Sequence, residues 1–188
     1  MSEHPDAVEP LPSTPTRLAA LEVEAHVAAD GWDQAPRLFA LVPTAVLAER
    51  EPALAAQLAV ALRDAPDGLT TIEQDPLPVD RPLEDVLGGI EWPDAVVGCA
   101  LVVERVMLPP EAEESLPLDA DDAALQRAVA EHPDRRDVRL VAAVTRDGGR
   151  HSMVRARTPD DAALLEGPDL VPGLVAALEE TLTPTSTP

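Results

Sequence analysis

Apolar positions recur along the chain with two spacings, and these separate helices from strands. Leu18, Leu21, Ala25 and Ala28 stand at i, i+3, i+7 and i+10, the spacing of one helix face. This predicts a helix over Thr16–Ala29, capped by Ser13 or Thr14, with Pro15 in its first turn and Gly31 closing it. Arg37–Val42 reads as a short strand, and Thr44 caps an Ala-rich helical stretch, Ala45–Leu62, interrupted by Pro52. Leu69–Gln74 is β-branched and predicts a strand ended by Asp75-Pro76, and Arg81–Leu87 predicts a brief helix behind Asp80. Asp94–Leu108 holds the longest apolar run, the pattern of a strand covered on both faces. Glu104 and Arg105 break the run, and Pro109-Pro110 stop it. An acidic loop, Glu111–Leu118, leads to a helix capped by Asp119 or Asp121 and running to His132. Val138–Thr145 and Arg150–Arg157 flank Arg146-Asp147-Gly148-Gly149. An Asp-Gly pair between strand patterns predicts a hairpin with a type I′ turn. Leu170, Leu174, Leu178 and Leu182 repeat at i+4 in a last helix, Leu170–Leu182, behind Asp169.

The order α-β-α-β-α-β-α-β-β-α predicts an α+β fold. Its expected form is two layers: a mostly antiparallel sheet of about five strands with helices packed on one face. One domain, residues 16–182, lies between polar, Pro-rich tails, 1–15 and 183–188, that are expected to be disordered.

Charge narrows the function classes. The 188 residues hold 35 acidic side chains against 14 basic ones, a net charge of −21 at pH 7. That argues against nucleic acid, whose affinity comes from Lys and Arg neutralising phosphates, and against docking on anionic lipid. Every basic residue is Arg; the chain has no Lys, Asn or Tyr, a bias that a GC-rich genome explains. Without Lys there is no Schiff-base nucleophile, no pyridoxal anchor and no P-loop lysine. The single cysteine, Cys99, is flanked like a core residue of a strand. No two of His4, His26, His132 and His151 stand at i, i+4, so no metal site and no cofactor are expected. Asp119, Asp121 and Asp122 lack the Gly and Glu that complete a calcium loop. The start of the chain lacks a signal-peptide pattern and no apolar run would span a bilayer, so a cytoplasmic protein without membrane insertion is expected.

Candidate site residues are few. Trp32-Asp33 and Trp92-Pro93-Asp94 precede strand patterns. The two indoles either flank a pocket, with Asp33, Asp94 and Arg37 supplying polar contacts, or seal the sheet ends. Glu73 and Glu104 would form an acid–base pair if they met across neighbouring strands; otherwise Glu104 pairs with a strand arginine such as Arg155 or faces solvent. Arg139, Arg146, Arg150, Arg155 and Arg157 concentrate positive charge on the hairpin, as an anion site or as a solvated sheet face.

The stretches Gly31–Val42, Ile72–Asp75, Ile90–Ala100 and Asp169–Leu174, with their Trp32-Asp33-Gln34 and Trp92-Pro93-Asp94 blocks, resemble a family of small acidic actinobacterial proteins without an assigned activity. The resemblance spans about Thr16 to Leu182 and transfers no catalytic residue. A looser likeness, to secretion-chaperone-like α+β proteins, holds if stretches 45–62 and 81–87 are inserts. Two readings follow. One is a non-enzymatic interaction or adaptor protein with a protein partner, a second copy included. The other is a ligand-binding protein or enzyme with its pocket near the two Trp and the hairpin Arg residues.

Overall fold

The computed structural model describes residues 11–113, 122–159 and 163–183. The expected caps Asp119 and Asp121, most of the acidic loop and the outer parts of both tails lie outside the described residues.

The elements run α1 (Pro15–Ala29), β1 (Arg37–Pro43), α2 (Thr44–Arg50), α3 (Pro52–Asp64), β2 (Leu69–Glu73), α4 (Leu83–Leu87), β3 (Gly98–Met107), α5 (Pro110–Glu113), α6 (Asp122–Glu131), β4 (Arg136–Thr145), β5 (Arg150–Ala156), β6 (Leu165–Gly167) and α7 (Pro172–Leu182). The fold is α+β, with one antiparallel sheet of six strands in the order β2-β1-β3-β4-β5-β6. The strand beyond the expected five is β6, three residues long and too short to leave a periodic signal.

Helices cover both faces of the sheet, which corrects the two-layer expectation. Along β3, Ala100 and Val102 join the cluster under α1, while Cys99, Leu101 and Val103 join the cluster under α7. A central strand that is apolar on every residue needs two apolar neighbours. That pattern, visible in the sequence, already required a third layer.

Helix α1 turns a different stripe inward from the one its leucines suggest, whereas α7 docks through Leu178 and Leu182 of its leucine stripe, with Leu174 packed beside them. In α1 the buried face is Thr16, Ala19, Ala20, Val23, Glu24 and Val27, and Leu18 is 45% exposed. Short side chains bring the helix axis close to the sheet, and Leu18 is left beside it. In α7 the buried residues are Val175, Leu178, Thr181 and Leu182, and Leu170 precedes the helix.

Pro52 divides the Ala-rich stretch into two helices. Its ring disfavours helical backbone at the residue before it, so Glu51 leaves the helical region (φ −123°, ψ 77°) and Pro52 takes the first position of α3. The third strand begins at Gly98, because Asp94 lies in a turn closed by Val96 N–H donating to Pro93 O at 2.9 Å. The hairpin is present, with a different turn. Gly148 takes positive φ (88°) and Asp147 does not. Gly148 N–H donates to Thr145 O at 3.0 Å and Thr145 N–H to Gly149 O at 2.9 Å, a longer connection than the type I′ turn, which needs two left-handed residues.

Candidate functional site

Side chains alternate across the strands, and this collects most of the sequence-derived candidates on the α1 side of the sheet. The register sets Glu104 of β3 opposite Arg139 of β4, and Arg139 opposite Arg155 of β5. Arg139 is 1% exposed. Its Nη2 donates to Glu104 Oε1 at 2.9 Å and to the carbonyl of Gly31. The guanidinium carbon lies 4.5 Å from the centroid of the Trp32 ring, a cation–π contact in a site shielded from water. Arg157 approaches the same ring at 5.7 Å and holds Asp33 through two bonds of 2.8 and 2.9 Å. Asp33 sits at positive φ (67°), and its backbone N–H donates to Glu104 Oε2 at 2.8 Å. The pairing with Arg157 holds the Asp33 carboxyl below its ordinary pKa.

The network continues along α1. Arg37 meets Glu73 through two bonds of 2.6 and 2.7 Å and also donates to Asp30 and Gln34; its Nη2 lies 3.0 Å from His26 Nε2. That encirclement leaves Arg37 no free edge for a ligand. Its guanidinium holds the Glu73 carboxyl below the usual carboxylate range. Arg155 is bidentate to Glu24, at 2.5 and 3.1 Å, and Arg17 is bidentate to Glu166, which also meets His151. Trp32, Asp33, Arg37, Glu73, Glu104 and Arg155 therefore share one face, and each charged member pairs with another protein group. Glu73 and Glu104 do not meet, since β1 lies between their strands. The partner of Glu104 is Arg139, not Arg155.

Trp92 is on the other side. It packs in the cluster under α7, and its indole N–H donates to Thr181 Oγ at 2.9 Å. Asp94 is exposed in its turn. The two tryptophans are thus separated by the sheet and line no common pocket. The hairpin arginines divide in the same way. Arg150 pairs with Glu179 of α7, and Arg146 donates to the carbonyls of Leu182, Val96 and Trp92, where a cation suits the C-terminal end of α7. Cys99 is buried under α7, and desolvation pushes its thiol up to about 11, so it stays protonated and unreactive at neutral pH. Among the described residues no group of three His, Cys, Asp or Glu is placed to hold a metal ion.

A different region has the unpaired character that the arginine face lacks. Helix α3 carries no charge from Pro52 to Leu62, yet it buries no residue. It packs against α2 and touches no other element closely. Leu54 is exposed and Val60 is 55% exposed. Between α3 and α1 lies a groove of about 390 Å³, with Leu18, Ala19, Ala61, Ala65 and Leu69 among its apolar walls. Its charged lining is Glu22, Asp64 and Asp67, and among the described residues no basic one borders it. Sequence reading passed over this region because an Ala-rich helix resembles a core helix. The available signal was an uncharged stretch in a chain of net charge −21, bounded by Glu49, Arg50 and Glu51 before it and by Arg63 and Asp64 after it.

No curated protein and no solved structure shows significant similarity to the chain. A model of the PPA1309-like protein family matches residues 16–183, a span that takes in both the arginine face and the α3 groove. The chain belongs to the PPA1309-like protein family.

Proposed function

We propose that this chain is a non-enzymatic protein-interaction module that binds its partner through α3 and the groove beside it. The carrying observation is an uncharged apolar helix that buries none of its residues. A helix of this length is marginal in water unless an apolar face packs, and among the described elements α3 packs mainly on α2. Contiguous exposed apolar surface on an otherwise charged protein marks an interaction site. The internal pairing of the arginine face supports the same reading, because its arginines and carboxylates bind one another in holding α1 and the 30–37 loop.

The test is site-specific photo-crosslinking in the native host, with the reactive group at Leu54 or Val60 and a control at exposed Val106 on β3. A discrete adduct from α3 that is missing at Val106 is the expected result. No adduct, or the same set from every position, overturns the proposal.

A further inference from the structure

The groove between α1 and α3 has a composition that selects its occupant. This step rests on reading the chain as an interaction module. The walls are apolar, with Leu18 of α1 facing a hollow that Ala61 and Ala65 border from the other side. Its volume, about 390 Å³, falls in the range of pockets that take a defined ligand group. Every charged group on its rim is a carboxylate. Glu22 accepts a hydrogen bond from Thr71 Oγ at 3.0 Å. Asp64 and Asp67 are exposed and pair with no cation among the described residues. The hollow continues past Pro15, Asp67 and Leu69 toward the hairpin turn, into a second space of about 450 Å³ that adds Asp147. Arg146 borders that second space, but its guanidinium is turned to the carbonyls of Val96, Trp92 and Leu182.

We infer that this groove takes a segment of another protein that presents a large apolar side chain flanked by Arg or Lys. An apolar floor with an acidic rim complements that chemistry in both shape and charge. The other occupants fit less well. The segments of this chain outside the described residues, 1–10, 114–121, 160–162 and 184–188, contain no Arg or Lys. A second copy brings another net charge of −21 against an acidic rim.

The test uses the full chain and two synthetic probes followed by calorimetry. One is an amphipathic peptide with Leu at helical spacing and Lys between; the other has the same composition with the Leu residues scattered round the helix. The patterned peptide is expected to bind one to one. Leu18→Asp or Ala61→Asp should weaken it by about tenfold or more. Both substitutions are at exposed positions and add negative charge, so attachment by charge alone would persist or strengthen. Asp64→Asn with Asp67→Asn should weaken binding and flatten its salt dependence. Equal binding of both peptides, or indifference to Leu18→Asp, overturns the inference. So does a dimer that tightens as salt rises and is lost on Leu18→Asp, because the groove would then belong to a second copy. Where the peptide fails but the α3 crosslink persists, the occupant's assigned chemistry falls and the interaction reading stands. Where both fail, both fall.

Discussion

Helices α1 and α3 are close in length and both rich in alanine, yet they meet the rest of the protein in opposite ways. Helix α1 lies on the sheet through small residues, and Arg17, Glu24 and His26 tie it to β1, β2, β5 and β6 through side-chain hydrogen bonds. Helix α3 is uncharged over most of its length and, among the described elements, leans mainly on α2. The difference is instructive about acidic proteins. Asp33 and Arg37, just before and at the start of β1, are consumed in holding the fold, while the uncharged surface of α3 stays open. Arg139 shows the first half of this, being almost fully enclosed by Trp32, Glu104 and Gly31.

The contrast is most exposed at that arginine. Arg139→Ala leaves Glu104 without its buried partner and should cost about 3–5 kcal/mol of stability in urea unfolding. In a Glu104→Gln background the added cost should be smaller, since the two changes share one interaction. A loss below about 1 kcal/mol would mean that the arginine face is not a clamp. Next in size is Gly149→Ala. An added Cβ would overlap Oγ of both Thr16 and Thr145, where the hairpin turn meets the start of α1. Overpacking of this kind should cost about 1–3 kcal/mol and should be visible as a lower unfolding midpoint.

The pH dependence is smaller and has a definite sign. Glu73, Glu166 and Asp33 all have folded-state pKa values below the unfolded ones, held down first by Arg37, Arg17 and Arg157 respectively. Their contribution is present above the ordinary carboxylate pKa of about 4 and is lost as pH falls through the folded values. Burial lowers the His151 pKa, against the pull of Glu166, so below the ordinary imidazole value the unfolded chain binds this proton more readily than the folded one. Its contribution begins to fall below the ordinary imidazole pKa of about 6.5. Stability measured against pH should therefore decline in two stages on acidification, and His151→Gln should remove the upper stage alone. A single decline confined to the carboxylate range would show that His151 is not insulated from solvent. The smallest effect belongs to α3. Leu54→Gln and Val60→Gln should shift stability by no more than about 0.5 kcal/mol, as exposed substitutions do, while reducing the crosslink at that helix. A loss of several kcal/mol would mean that α3 packs within the fold and is not an open surface.

Much of this was readable in the chain. The run through β3 announced a strand covered twice, Asp147-Gly148 announced a hairpin, and Gly31 marked the turn after α1, where it takes positive φ (84°). Trp32, Asp33, Arg37, Glu73 and Glu104 were recognisable as unusual, and they do converge. Their role was not legible, because the residue that organises them, Arg139, stands 108 positions from the carbonyl it holds. Arg155 and Glu24 are separated by 131 positions. The leucine stripe of α1 misled for a related reason. Leucine spacing reports an apolar face, but the stripe that docks is the one whose side chains match the distance to the sheet.

The sequence by itself determined the kinds of element, their approximate limits, the acidic surface and the absence of lysine chemistry. These depend on local periods, on turn residues and on composition, which need no knowledge of neighbours. Only the tertiary structure decided which face of each helix is buried, which carboxylate each arginine holds, that the two tryptophans lie on opposite sides of the sheet, and that α3 is left without a cover. Each of those is a contact between segments distant in sequence, and it is settled by register and packing once the sheet has formed.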